Sequence, residues 1–106
     1  MTQEERLRIE EDIVRMLKTV FDPEIPVNVY DLGLIYRIDL HDDGMVEMDM
    51  TFTSPTCPVA DFIFEDVRMK VEGIEGVTGL NLQFVTDPMW TPEMATEEAR
   101  LEMGYM

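Results

Sequence analysis

Apolar and polar positions along this chain repeat with two periods. From about Gln3 to Val20, the residues Ile9, Ile13, Met16, Leu17 and Val20 recur at the spacing of one helical face, which predicts an amphipathic first helix. Thr2 and Glu5 stand at capping-box spacing, and Glu4, Glu5, Glu10, Glu11 and Asp12 crowd the N-terminal half, where the helix dipole favours acids. Asp22-Pro23-Glu24-Ile25-Pro26 must end this helix, because two prolines in so short a run cannot continue it. Val27 to Gly33 shows little periodicity and reads as an ordered loop.

The period then shortens to two. Leu34, Tyr36, Ile38 and Leu40 share one face of a predicted strand, and His41-Asp42-Asp43-Gly44 supplies a hairpin turn. The second strand, about Met45 to Thr53, sets Val46, Met48, Met50 and Phe52 against Glu47, Asp49, Thr51 and Thr53. Such alternation describes one buried and one wet face. Helical spacing returns from about Pro58 to Val71, with Val59, Phe62, Ile63, Val67 and Met69 or Lys70 on the packing side and Gly73 at the end. A third strand spans about Val77 to Val85. After the loop Thr86 to Trp90, Thr91-Pro92 carries the N-cap and N1 signature of a last helix reaching Glu102. The order α-β-β-α-β-α, with a single apolar sheet face, predicts one two-layer α+β domain over residues 1–106, built on a three-stranded mixed sheet.

Composition narrows the function. Eight basic against twenty-three acidic residues give a formal charge of −15. A chain so charged repels phosphate backbones and anionic lipid surfaces, so nucleic acids and membranes are not expected partners. No apolar run approaches the ~18–20 residues of a membrane span. The opening MTQEERLRIEED resembles neither a signal nor a transit peptide, and the expected location is cytoplasmic. One cysteine allows no internal disulfide and cannot alone build a structural zinc site.

That cysteine is the most suggestive residue. Cys57 falls in Thr51-Phe52-Thr53-Ser54-Pro55-Thr56-Cys57-Pro58, where an alternating strand gives way to a helix. Pro58 suits N1, and a residue before proline is pushed into the backbone state of an N-cap. A sulfur there meets unpaired N–H groups at the positive end of the helix dipole, which favours the thiolate that acts as nucleophile or metal ligand. The competing reading is a small buried hydrophobe. Nucleophilic catalysis would need a base beside it. His41, the only histidine, belongs to the hairpin at the other end of the second strand, roughly 25 Å away at ~3.3 Å per residue. His41 is therefore expected to be a solvated turn residue.

Among the abundant carboxylates, Asp22, Glu24 and Asp31 stand apart, because they sit in Pro-flanked, apolar-rich loops rather than on solvated helix faces. Each could instead serve its own turn. Thr51 and Thr53 share the wet face before the thiol and can hydrogen-bond a thiolate or anion; ordinary strand propensity is the competing reading, and the stronger one for Thr51. Trp90, between Pro88 and Pro92, is either an anchor for a partner or a ring packed over the domain edge. Ten methionines suggest adaptable packing, without the spacing of a copper site.

Three segments together resemble the PaaD-like and SufT-like iron–sulfur cluster assembly domain family: Asp22 to Tyr36 (DPEIPVNVYDLGLIY), Thr51 to Pro58 (TFTSPTCP) and Asp87 to Gly104 (DPMWTPEMATEEARLEMG). The resemblance implies an iron–sulfur assembly topology related to that of KH domains. It implies an accessory or targeting role in maturing iron–sulfur proteins, within the SUF type of system and not as an enzyme. The family's motif cysteine falls on Cys57, as cluster or metal contact. Its acidic residues fall on Asp22, Glu24 and Asp31, its threonines on Thr51 and Thr53, and its late aromatic on Trp90. The implied partners are iron–sulfur scaffold or carrier proteins and apo-clients, and the implied cargo is iron or a transient iron–sulfur cluster. The chain shows no cysteine-rich C-terminal region of the kind that PaaD members of a phenylacetyl-CoA oxygenase system carry, so the stand-alone SufT-like branch fits better.

A cluster held only by thiolates needs about four of them. One Cys57 leaves three arrangements open: a cluster shared across a homodimer, one completed by carboxylate or exogenous thiol, or cargo handed over without stable binding. A thiol-based sulfur-transfer or redox enzyme, and a pure interaction module in which Cys57 only packs, are the alternatives.

Overall fold

The computed structural model describes residues 1–21, 27–52, 60–102 and 104. Its elements run α1 (Gln3–Leu17), β1 (Ile35–Leu40), β2 (Met45–Met50), α2 (Ala60–Glu72), β3 (Gly79–Phe84), a 3-10 turn (Pro92–Met94) and α3 (Glu97–Glu102). The sheet order is β1-β2-β3, with β1 antiparallel and β3 parallel to β2. The parallel pair requires a crossover, which α2 supplies. Ile9, Ile13 and Leu17 of α1, Ile63, Val67 and Val71 of α2, and Val46, Met48, Met50 and Leu80 of the sheet form one buried cluster. Both long helices thus cover the apolar sheet face, and the expected two-layer α+β architecture is the one observed.

Local chemistry explains the element ends. The Thr2 hydroxyl accepts a hydrogen bond from the Glu5 N–H at 3.1 Å and so caps α1. This helix ends at Leu17 instead of Val20, because the Thr19 hydroxyl donates to the Met16 carbonyl at 2.6 Å and the chain turns. Val20 still reaches the core, and its carbonyl accepts from the Val29 N–H at 2.8 Å. In the hairpin, Gly44 has φ +90°, as the Asp-Gly pair predicts.

Three further expectations are corrected. Tyr36 leaves the apolar face of β1, since the register of Ile35 with Met50 and Arg37 with Asp49 inserts a bulge between Ile35 and Arg37. Phe62 and Met69 lie on the solvent side of α2, each 69% exposed. The packed stripe follows Ile63, Val67 and Val71 and widens toward Phe64, which lies 5.6 Å from Phe84, itself stacked on Phe52 at 4.2 Å. The single last helix is divided in two: Thr91 makes no side-chain cap, whereas the Thr96 hydroxyl accepts from the Ala99 N–H at 3.1 Å and starts α3. The predicted N-cap at Cys57 and first turn at Pro58 fall outside the described residues.

Candidate functional site

β2 and β3 run in the same direction, so the segments after Met50 and after Phe84 leave the sheet side by side. The Val85 N–H donates to the Met50 carbonyl and the Thr51 N–H to the Leu34 carbonyl, both at 2.8 Å. The chain at Leu34, Thr51 and Val85, distant in the sequence, thereby meets at one end of the domain. In parallel sheets, ligands are bound beyond the carboxyl ends of the strands, which is this end.

The loop from Asn28 to Gly33 forms its floor. Asn28 accepts the Asp31 N–H at 2.8 Å and donates its amide to the Asp31 carboxylate at 2.8 Å, a reciprocal pairing that closes the turn. Asn28 escaped the sequence reading, although the Asn-x-x-Asp spacing ahead of Leu32-Gly33 is a recognisable cap signature. On this loop docks the segment from Pro88 to Ala99. Trp90 donates its indole N–H to the Leu32 carbonyl at 2.6 Å, and the Thr96 N–H donates to the Asp31 carbonyl at 2.8 Å. Gly33, with φ +79°, lies against the Met94 carbonyl so closely that a Cβ would overlap it. Only glycine satisfies both the left-handed backbone and the approach.

The bulge gives Tyr36 its place here. Its phenol donates to the Pro88 carbonyl at 2.8 Å and lies 3.5 Å from the Met94 sulfur. Burial pushes this phenol above its usual pKa of 10.0, while a hydrogen bond with the Thr51 side chain works in the opposite direction. Thr51, expected on the wet face, is accordingly only 3% exposed. Sheet alternation misplaces it because β2 ends at Met50 and Thr51 lies beyond the regular strand. Trp90 is half-buried and packs on the core, the second of the two readings its sequence neighbourhood allowed.

Beside the loop opens a cleft of about 360 Å³, walled by Phe21, Asp31, Glu98, Leu101 and Glu102. Phe21 and Asn28, on either side of the acidic proline segment, form a β-bridge. Asp22, Glu24, Thr53 and Cys57 themselves lie outside the described residues.

His41 lies at the opposite end of β2, in the hairpin. It is exposed at the turn, as expected, and it is also paired: its Nε2 is 2.7 Å from the Glu47 carboxylate and 3.9 Å from that of Asp39. The hydrogen bond with Glu47 holds the imidazole above its usual pKa of 6.5 and holds the Glu47 carboxyl below its usual 4.5.

A three-stranded α+β domain with the described parts of its motif segments gathered beyond the ends of its parallel strands is the class this geometry defines. The chain belongs to the iron–sulfur cluster assembly protein family, whose model matches residues 10–82. It is 60% identical over 102 residues to an Fe-S protein maturation auxiliary factor of Porphyromonas gingivalis, covering 96% of this chain and 97% of that one. It is 32% identical over 85 residues to the Fe-S protein maturation auxiliary factor SufT of Staphylococcus aureus, covering 80% of this chain and 97% of that protein. Among solved structures, it is similar to a DUF59 domain of unknown function from Bacillus anthracis, with a TM-score of 0.88 and 26% identity over 99% of this chain and 100% of that one.

Proposed function

We propose that this protein is an auxiliary factor in the maturation of iron–sulfur proteins, acting by binding and presentation and not as an enzyme. The observation that carries the reading is the convergence of the three motif segments. The loop before β1, the exit of β2 toward Cys57 and the segment around Trp90 are tied together by the Leu34–Thr51, Leu32–Trp90, Asp31–Thr96 and Tyr36–Pro88 hydrogen bonds. The names of the relatives agree with it.

In this reading Cys57 contacts iron, sulfur or a cluster that is cargo, and Asp22, Glu24 and Thr53 support that contact. Asp31 and Thr51 support the site indirectly: one braces the loop through Asn28 and Thr96, and the other fixes the end of β2 through Leu34 and Tyr36. Trp90 positions the neighbouring Met89, 70% exposed, as a partner contact. The partners are a scaffold or carrier and apo-clients, in the cytoplasm. One thiol per chain suits transient cargo or a cluster shared in a homodimer, since four thiolates are the usual complement. A thiol enzyme is less well supported, because the sole imidazole belongs to the hairpin at the other end of β2.

The test is anaerobic reconstitution with iron and sulfide, followed by visible absorption, for the parent and for Cys57→Ser. Colour that disappears in Cys57→Ser, with client maturation lost in cells and the melting temperature unchanged, is expected. A large fall in melting temperature for Cys57→Ser would assign the sulfur to packing and overturn the cargo role.

A further inference from the structure

The uncovered face of the sheet carries a second group of donor atoms, at the hairpin. In the register of the sheet Asp39 stands opposite Glu47, and Asn81 of β3 stands on the other side of Glu47. Two carboxylates placed directly across an antiparallel pair repel each other and weaken the sheet. Asp49 adds a third, and one of its carboxylate oxygens is buried with no hydrogen-bond partner among the described residues. Against these acids stand Arg37, engaged by Asp49 at 3.1 Å and Asp39 at 3.5 Å, and His41. The opposed acids and the imidazole bring one donor atom each from Asp39, His41 and Glu47 within 4.8 Å of one another.

We propose that Asp39, His41 and Glu47 form a binding site for a divalent first-row transition cation of the zinc or ferrous type, with water completing the coordination shell. The donor set selects the class. An imidazole with carboxylates suits borderline cations, whereas calcium and magnesium favour all-oxygen shells and cuprous ion favours sulfur. The dimensions are compatible. Bonds of about 2.0–2.2 Å to nitrogen and oxygen in a tetrahedral site put neighbouring donors about 3.3 Å apart. The His41–Glu47 and His41–Asp39 separations of 2.7 Å and 3.9 Å bracket that value, and all three donors lie within 4.8 Å of one another. Asp39, His41 and Glu47 have side-chain exposures of 51%, 43% and 35%, which leaves room for coordinated water. Asn81, which stands beside Glu47 in the register of β2 and β3, acts as a positioning residue. The site lies at the other end of β2 from Thr51 and does not depend on the role given to Cys57.

The experiment uses the full chain with Cys57→Ser, so that no thiol competes, stripped of metal and titrated with zinc chloride by calorimetry and two-dimensional NMR. One saturable equivalent is expected, with the largest shifts at the His41 ring and the amides of residues 39–47. His41→Ala, an exposed change whose folding is checked by circular dichroism, should weaken binding at least about tenfold, and Asn81→Ala about tenfold. Calcium and magnesium at equal concentration should leave the His41 ring unmoved. Shifts spread over the acidic helices without saturation, equal effects of calcium, or an unchanged affinity in His41→Ala would each overturn the site.

Discussion

At the scale of single residues, the motif end is held by a few directional contacts whose removal has calculable effects. Trp90→Phe keeps most of the packing but strips the Leu32 carbonyl of its donor; it should lower stability by about 1–2 kcal/mol in urea unfolding. Gly33→Ala forces a Cβ into the left-handed region, which costs about 1–2 kcal/mol before the overlap with Met94 is counted, and should release the late segment. A limited-proteolysis pattern with new cleavage after Pro88 would report that release. His41 sets a pH signature. Because Glu47 raises its folded pKa, the pair's stabilisation is complete below the unfolded value of 6.5 and is lost as pH rises through the folded one. Glu47, depressed, contributes above 4.5 and loses its contribution as pH falls through its folded value. Ring-proton NMR of metal-free protein should place the His41 midpoint above 6.5, and Glu47→Gln should bring it down. Of these residues, Trp90 and Gly33 stood in recognisable motifs, but Tyr36 and Asn28 did not. A bulge is a property of two paired strands, so one strand's alternation cannot show that Tyr36 turns toward Pro88.

At the scale of elements, periodicity located each helix and strand, and its misplaced side chains on α2 have one cause. A stripe drawn from spacing alone is wider than the surface available to receive it. On α2 the sheet and α1 receive Ile63, Val67 and Val71, and Phe62 one position away misses them. Phe62→Glu and Met69→Glu should therefore change stability by no more than about 0.5 kcal/mol, while Val67→Ala should cost about 1–3 kcal/mol. Equal losses at both kinds of position in chemical denaturation would contradict the helix orientation. The last helix was misjudged for a different reason. Thr91-Pro92 has the composition of a helix start, but Met94 must lie against Gly33 and the Thr96 N–H must reach Asp31, so the chain is held to a 3-10 turn until Thr96 can cap. Tertiary contact outweighed local preference there.

At the scale of the whole molecule, the two-layer architecture was readable because a single sheet face repeats Val46, Met48 and Met50 against Glu47 and Asp49. The pairing of β3 alongside β2 was less accessible, since strand order depends on the crossover through α2 and not on any one segment. The charge of −15 bears on association. If a carrier or client presents a basic surface, its on-rate for this protein should fall several-fold between low and physiological salt, as steering of exposed charges is screened beyond about 8–10 Å. An on-rate indifferent to salt in stopped-flow mixing would show that apolar contact alone guides docking.

The central position of β2, flanked by one antiparallel and one parallel neighbour, makes that strand a ruler for events at its two termini. Amide protons along Met45 to Met50 should take up deuterium last, as the innermost ladder of the sheet. A partner engaging the cysteine end would then slow uptake around Thr51 and Val85 while leaving the hairpin unchanged, and a cation at the hairpin would do the reverse. One isotope-labelling time course could thus distinguish the two occupants without any substitution in the chain.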